Sequence, residues 1–222
     1  MLWDIDRTLV AVGMGREVYA AAFTAVTGRP LEVLPDFGGR MDRDLIHETL
    51  TVHGVPVTED ALSAYAEAMI RGYAERAAEV RLRGHALAGA REALAAFAAL
   101  DGVVQTVVTG NIRPVAVAKL TAFDLHGPID FDVGGYGWED RVRATLVRSA
   151  VARSAAKYGP VPLGRVVVIG DTAHDVAAAR AVGVRCIAVA TGSTPAAELV
   201  AAGADLVLAD LSATSSVVNF IP

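Results

Sequence analysis

Short runs of β-branched and other apolar residues recur along the chain, and most of them end in glycine or a polar residue. They lie at 2–3, 103–108, 166–169, 184–190 and 206–208. Such runs are typical of strands that are buried on both faces of a parallel sheet. Alanine-rich helical stretches follow the later runs, at 114–123, 144–157, 175–182 and 195–202. The alternation predicts an α/β fold with a doubly wound parallel sheet.

A long segment separates the first two predicted strands. Residues 4–102 lie between them, whereas a single crossover connection needs only roughly a dozen residues. Helical patterns occupy this segment at 16–26, 42–53, 59–80 and 90–100. Glycine follows the first two of these patterns closely, as at many helix ends. We therefore predict a helical cap domain at 13–83, inserted into a Rossmann-like core domain formed by 1–12 and 84–222.

Composition excludes several classes of protein. The 222 residues are 53% hydrophobic, which is enough for a substantial core. The formal charge of −5 has the wrong sign for a nucleic-acid binder. No apolar run approaches the roughly 18 residues of a membrane span, and the acidic start is unlike a signal peptide, so no membrane partner and a cytoplasmic location are expected. The preference for arginine over lysine indicates a GC-rich bacterial genome.

Two carboxylates stand at the end of the first predicted strand. Asp4 and Asp6 are separated by one apolar residue. This spacing directs both side chains to the same side of an extended backbone. In a doubly wound sheet, the carboxyl ends of the strands form the ligand crevice. Both acids are therefore predicted to lie in that crevice.

The second predicted strand ends in Thr109, Gly110 and Asn111, just before Pro114. Proline near a helix start leaves backbone N–H groups free, and the threonine adds a hydroxyl. This combination predicts a seat for a phosphate or another oxyanion. Taken alone, the same residues also fit an ordinary helix-entry loop.

A third strand ends in two more acids, Asp171 and Asp175. Together with Asp4 they would supply the oxygen ligands that Mg²⁺ prefers. Each of these acids alone also fits a helix cap or a turn. Caps explain less well why three such motifs end three strands of one sheet, which favours a ligand site.

The motifs in this order resemble the haloacid dehalogenase superfamily of phosphohydrolases, in its phosphoglycolate phosphatase-like branch with a helical cap after the first motif. The family pattern DxDxT is matched by Asp4, Asp6 and Thr8, its strand-two threonine by Thr109, and its GDxxxD pattern by Gly170, Asp171 and Asp175. The resemblance covers nearly the whole chain.

The resemblance implies a Mg²⁺-dependent cleavage of a small-molecule phosphate monoester. Asp4 would attack phosphorus and form an aspartyl phosphate, while Asp6 would act as general acid and base. Asp4, the backbone carbonyl of Asp6 and Asp171 would hold the ion, and Asp175 would orient its surroundings. Thr109 with nearby N–H groups would bind the phosphoryl oxygens.

The family also uses a cation between its second and fourth motifs. We expect Arg141 to supply it, with Lys119 and Arg143 as alternatives. In the inserted cap, the resemblance implies that Arg40 or Asp42 contacts the substrate, although Asp42 equally fits a helix N-cap.

The sequence also allows other functions. Arg7 stands where relatives very often have glycine. A phosphomutase would use the same Asp4 and Asp6, and a phospho-accepting signalling protein or a catalytically silent relative is a more distant interpretation. The uncharged tail at 212–222 is expected to be loosely held.

Overall fold

A computed structural model describes residues 1–220 of the chain and contains a parallel sheet of six strands. The strands are β1 (Leu2–Trp3), β2 (Val10–Ala11), β3 (His85–Ala86), β4 (Thr106–Thr109), β5 (Gly135–Tyr136), β6 (Val167–Gly170), β7 (Arg185–Val189) and β8 (Leu206–Leu208). Six of them form the main sheet in the order β5-β4-β1-β6-β7-β8. All neighbours in this sheet pair in parallel.

Helices connect the strands and cover the sheet. They are α1 (Gly15–Thr27), α2 (Asp42–Val52), α3 (Glu59–Glu75), α4 (Ala77–Arg83), α5 (Ala90–Ala98), α6 (Arg113–Ala122), α7 (Arg143–Tyr158), α8 (Ala173–Val182), α9 (Ala196–Ala202) and α10 (Thr214–Asn219). Helices α5, α6 and α10 contribute to the core on one face of the sheet, whereas α7, α8 and α9 contribute to the other.

The apolar strands fill both of these cores. Val167 and Ile169 of β6 pack on the side of α5 and α6, while Val168 packs on the side of α7 and α8. This follows from the two-residue period of a strand, which sends alternate side chains to opposite faces. Both faces are buried, as the continuous apolar pattern predicts. The predicted α/β fold with a doubly wound parallel sheet is confirmed.

The four helices α1 to α4 lie between two short strands that pair with each other. Strands β2 and β3 are antiparallel, with Val10 opposite Ala86 and Ala11 opposite His85. The chain thus leaves and returns through neighbouring segments. A Cβ atom at Gly13 would lie only 2.7 Å from the carbonyl oxygen of Arg83, which shows how closely the two connections approach.

The inserted helices pack on one another, and their buried apolar residues continue the core on the face of the sheet that α5 and α6 cover. Helix α3 packs along α1 and also contacts α2. Phe23 and Tyr65 are fully buried between them, and the Tyr65 hydroxyl donates to the carbonyl oxygen of Tyr19 at 2.8 Å.

Two local features differ from the sequence predictions. The helix expected at 59–80 is two helices, because the chain breaks at Arg76 between α3 and α4. The expected loose tail includes α10, which packs against α5 and buries Val217 completely, so that expectation is wrong for this segment. Residues 221–222 of the same tail lie outside the described range. No helix within residues 1–220 combines the length and apolar character needed to cross a membrane.

Candidate active site

Three neighbouring strands bring the predicted motifs to one edge of the sheet. Strand β1 lies between β4 and β6, so Asp4, Thr109 and Asp171 meet at their carboxyl ends. All three side chains are buried. They line a cavity of about 680 Å³ between the sheet edge and the inserted helices, a size that suits a small-molecule ligand.

A tight turn after β1 directs the two acids of the first motif to different places. The Ile5 carbonyl oxygen accepts hydrogen bonds from the backbone N–H groups of Thr8, Leu9 and Val10. Arg7 lies within this turn at a φ of 64°. The left-handed conformation costs a residue with a Cβ atom about 1 kcal/mol or more. Glycine has no Cβ atom and would suit this position, whereas arginine adopts it only with strain.

The carboxylates of Asp4, Asp171 and Asp175 form one buried cluster. One oxygen of each lies within 4.8 Å of the others. The guanidinium of Arg143 joins them, with Nη2 at 2.6 Å from Asp4 Oδ1 and 2.7 Å from Asp175 Oδ1. The Thr8 hydroxyl lies 3.3 Å from Asp171 Oδ1 and donates to it.

Burial and mutual repulsion disfavour the charges in this cluster. Burial raises the pKa of Asp4 to about 7, because the attraction of Arg143 only partly offsets it and the negative charges of Asp175 and Asp6 add to it. Burial also raises the pKa of Asp171 to about 8, with further repulsion from Asp4 and Asp175. One guanidinium thus faces three carboxylates, and a divalent cation would balance the remaining negative charge.

The donor set fits Mg²⁺, a hard cation that prefers carboxylate oxygens. Asp4 and Asp171 are the residues placed to hold it. Asp175 is partly committed elsewhere, because its Oδ2 accepts hydrogen bonds from the Thr172 N–H at 3.1 Å and hydroxyl at 2.6 Å. The carboxylate of Asp6 lies outside this cluster, and only the backbone carbonyl of Asp6 was expected to contact the ion.

These pKa shifts predict that the metal-free protein loses stability as pH rises. Because the folded-state pKa values of Asp4 and Asp171 are raised, the folded protein binds more protons than the unfolded chain between about pH 4 and pH 8. We expect the free energy of unfolding in EDTA to fall by at least about 1.4 kcal/mol from pH 5 to pH 8. Urea unfolding at the two pH values measures this.

Two controls accompany that measurement. Mg²⁺ at pH 8 should restore stability, since the ion favours the ionised carboxylates. The variant Asp4→Asn should show a smaller loss, because it removes one of the titrating groups. A stability in EDTA that stays level or rises over this interval would contradict the prediction.

A second polar cluster surrounds Asp6. Lys119 Nζ donates to both carboxylate oxygens of Asp6, at 2.8 and 2.7 Å, and to Asn111 Oδ1 at 2.7 Å. Asn111 Nδ2 donates to Asp6 Oδ2 at 2.7 Å and to Thr109 Oγ1 at 2.8 Å. Burial is the largest single influence on Lys119 and lowers its pKa, but the attractions of Asp6, Tyr73 and Asp42 together outweigh burial, so the pKa lies above its usual range.

The predicted phosphate-binding loop has fewer free hydrogen-bond donors than the sequence suggests. The Asn111 backbone N–H donates to Thr109 Oγ1 at 3.2 Å, and the Ile112 N–H donates to Asp42 Oδ2 at 2.8 Å. These two N–H groups are thus already engaged. The Thr109 hydroxyl, whose oxygen accepts both hydrogen bonds from Asn111, keeps its own hydrogen for an anion.

The cation beside Asp4 is Arg143, and the expected Arg141 lies elsewhere. The Arg141 side chain is 67% exposed and pairs with Asp44 of α2. Arg143 is the first residue of α7, so its side chain starts at the sheet edge. It also donates to the carbonyl oxygens of Gly39 and Val108, both at 3.3 Å.

The loop before α2 closes over the site. Arg40 lines the cavity, but its guanidinium pairs with Glu48 of α2. Asp42 is the first residue of α2 rather than its N-cap, which is Met41. The Asp42 N–H donates to the carbonyl oxygen of Gly110 at 2.7 Å. A Cβ atom at Gly110 would lie 2.1 Å from the carbonyl oxygen of Arg40, so this close approach requires glycine.

Asp42 therefore joins the inserted helices to the core. Its carboxylate accepts hydrogen bonds from the Tyr19 hydroxyl at 2.5 Å and, on the core side, from the backbone of Ile112. Above the two clusters, the inserted segment gives the cavity a mixed wall. Its aromatic and apolar members include Tyr19, Phe37, Leu45, Met69 and Tyr73, and its charged members include Arg16, Glu17 and Asp36.

Comparison with known proteins agrees with this arrangement. Residues 143–214 match a family model described as HAD-hydrolase-like, and this segment includes Arg143, Asp171 and Asp175. The chain has the haloacid dehalogenase-like hydrolase fold. No curated protein matches the sequence.

Solved structures with the haloacid dehalogenase-like fold match over nearly the whole length. A hydrolase from Pseudomonas syringae is 22% identical, with 98% of this chain and 96% of that chain covered and a TM-score of 0.68. A predicted phosphoglycolate phosphatase from Haemophilus somnus is 18% identical, with 97% and 96% covered and a TM-score of 0.65. A candidate beta-phosphoglucomutase from Bacteroides vulgatus is 18% identical, with 99% and 87% covered and a TM-score of 0.65. These likenesses agree with the fold that the sequence motifs predict.

Proposed function

We propose that this protein is a Mg²⁺-dependent phosphohydrolase that cleaves a small-molecule phosphate monoester through an aspartyl phosphate on Asp4. The observation that carries this proposal is the separation of two carboxylates at one cavity. Asp4 lies buried beside Arg143, whereas Asp6 faces the cavity beside Lys119. Two carboxylates in unlike surroundings suit two different tasks, nucleophile and general acid.

In the first step, an Asp4 oxygen attacks phosphorus and the bond between phosphorus and the ester oxygen breaks. Arg143 holds the Asp4 carboxylate and places positive charge beside the phosphoryl group. The Thr109 hydroxyl donates to a phosphoryl oxygen. When bound by Asp4 and Asp171, Mg²⁺ would reduce the repulsion between the nucleophile and the phosphoryl oxygens.

Asp6 moves the protons in both steps. Its carboxyl group gives a proton to the leaving oxygen, which becomes the alcohol product. The resulting carboxylate then takes a proton from the water that attacks the aspartyl phosphate. Asp4 is released with its carboxylate intact, so the net reaction is ester plus water to alcohol plus phosphate.

The inserted helices form the upper wall of the proposed site. We propose that 13–83 is the cap domain and that 1–12 with 84–222 is the catalytic core. The aromatic and apolar residues of the cavity wall, such as Tyr19, Phe37 and Met69, would contact the leaving group. The loop that carries Arg40 and Asp42 contacts the core at Gly110. Small phosphate esters are the substrate class that fits this cavity.

The test is phosphate release from a panel of sugar phosphates, phosphoglycolate and other small esters, with Mg²⁺ or with EDTA. We expect release with Mg²⁺ from at least one ester and loss of that release in EDTA. Folded protein that releases no phosphate from any ester would overturn the proposal.

A phosphomutase is the second candidate, favoured by the structural likeness to a candidate beta-phosphoglucomutase. Such an enzyme would move the phosphoryl group within a sugar phosphate without net phosphate release. Product analysis of the same panel separates the two reactions. A long-lived aspartyl phosphate without turnover of any ester would instead indicate a signalling role.

Asp6→Ala is expected to lower kcat by at least about 10²-fold, the usual scale for loss of a general acid and base. The variant removes the proton carrier but leaves Asp4, Arg143 and Asp171 in place. Phosphate release at saturating ester measures the effect. The control is Asp101→Ala, which changes an exposed aspartate in a surface turn. Equal kcat values for Asp6→Ala and Asp101→Ala would show that Asp6 is not the general acid and base.

A further inference from the structure

The site contains a second buried cation that the proposed mechanism leaves without a task. Arg143 serves Asp4, whereas the hydrogen bonds that Lys119 makes in the described structure go to Asp6 and Asn111. Lys119 is only 6% exposed. Burial of an ammonium group costs free energy unless the group is well paired. The partners of Lys119 therefore indicate its role.

The geometry points to Lys119 as a positioning residue that holds the Asp6 carboxylate toward the leaving-group oxygen. This inference rests on the proposed phosphohydrolase function and deepens it. Lys119 would matter most for esters whose leaving group must receive a proton, and much less for esters whose leaving group departs as a stable anion.

Three hydrogen bonds fix the orientation of the Asp6 carboxylate. Lys119 contacts both of its oxygens, and Asn111 contacts one of them. The Asp6 side chain is nevertheless 43% exposed, since it borders the cavity. Without these contacts, a short side chain at the cavity wall would sample other rotamers and meet the leaving oxygen less often.

Lys119 is itself held in place from two sides. It projects from α6, where Val115, Ala116 and Leu120 are buried. Its Nζ lies 5.4 Å from the ring centre of Tyr73, which belongs to the inserted helix α3. The ammonium therefore lies between α6 of the core and α3 of the inserted helices. Its position would change if these two helices moved apart.

A direct contact with the substrate is the competing explanation, because Lys119 also borders the cavity. The two explanations differ in a measurable way. A residue that acts through Asp6 loses its effect when Asp6 is removed, whereas a residue that binds phosphate keeps its effect. An effect exerted through Asp6 also depends on the leaving group of the ester, whereas an effect exerted through phosphate binding does not.

The experiment compares kcat/KM for p-nitrophenyl phosphate and for the alkyl phosphate that the panel shows to be hydrolysed fastest. It uses Lys119→Met, Asp6→Asn, the double variant and Lys157→Met. Lys157 is the other lysine of the chain and pairs with Asp130 on the surface. It therefore serves as the matched control, with both rates expected to stay near those of the wild type.

We expect Lys119→Met to lower kcat/KM for the alkyl ester at least about 10-fold more than for the aryl ester. The double variant should differ little from Asp6→Asn alone. Lys119→Gln keeps a hydrogen-bond donor and should show a smaller difference between the esters. This variant also provides a test if Lys119→Met does not fold.

Three outcomes would count against the inference. Equal losses for the two esters in a folded Lys119 variant would overturn the positioning role. Losses that multiply in the double variant would favour direct substrate binding instead. Wild-type protein that hydrolyses neither ester would overturn the proposed function, and the role of Lys119 with it.

Discussion

Asp4→Asn is expected to abolish phosphate release while the protein stays folded. The amide has nearly the shape of the carboxylate but cannot act as the nucleophile, so the aspartyl phosphate cannot form. Folding should survive because burial already disfavours the charge of Asp4, as its raised pKa shows. Arg143 keeps its contact with Asp175. Phosphate release and urea unfolding with the same preparation measure both parts of this prediction.

The matched control for this variant is Asp101→Asn, which makes the same chemical change on the surface and should keep wild-type activity. Covalent labelling provides a second readout. Wild-type protein quenched during turnover should carry phosphate on Asp4, and the variant should carry none. Near-normal release by Asp4→Asn would exclude the covalent mechanism.

Arg143→Met should be the most destabilising of the variants considered. It leaves the buried carboxylates of Asp4 and Asp175 without their guanidinium partner. Removal of one partner from a buried ion pair typically costs about 3–5 kcal/mol. We also expect kcat to fall by at least about 10²-fold, the scale for loss of one group that stabilises transition-state charge. Urea unfolding and phosphate release test the two effects separately.

Arg141→Met is the control that distinguishes the two neighbouring arginines. Its side chain is largely exposed and pairs only with Asp44 among the described residues. Surface changes of this kind usually alter stability by less than about 0.5 kcal/mol. Activity close to that of the wild type is expected. A large loss in this variant together with a mild effect of Arg143→Met would reverse the assignment.

The main sheet and the place of the site could be predicted because both depend on simple periodic patterns. Short, unbroken apolar runs mark buried strands, and polar residues directly after them must lie at the carboxyl edge of a parallel sheet. Asp4, Thr109 and Asp171 meet there for that reason. The long segment between β1 and β4 could be expected from its length alone to contain further elements, since no crossover needs so many residues.

The choice of cation could not be made from the sequence. Arg141 and Arg143 are two residues apart, and which of them faces the sheet depends on where α7 begins. The helix starts at Arg143, so this side chain reaches the cluster while Arg141 stays outside. Lys119 left a weaker signal, a lone lysine two helical turns after Asn111 among residues that α6 buries.

Other differences arise from contacts between distant segments. Strands β2, β3 and β5, like β1, have two residues each, too few for any periodic pattern to emerge, and unlike β1 they are not followed by a DxDxT motif. Asp42 suits a helix start in the sequence, yet its carboxylate bonds to Tyr19 and to the backbone of Ile112. Such contacts depend on how the inserted helices pack against the core, and the local sequence around Asp42 does not determine that packing.

The pairing of β2 with β3 has a consequence for how proteins of this architecture can change over evolution. Because the chain enters and leaves the four inserted helices through adjacent antiparallel strands, the ends that remain after excision would already be in register for a short hairpin turn. A different set of helices could be grafted between Ala11 and His85 without moving the strands that carry Asp4, Thr109 and Asp171. New substrate preferences could thus arise by exchange of one segment, while the chemistry beneath it is inherited unchanged.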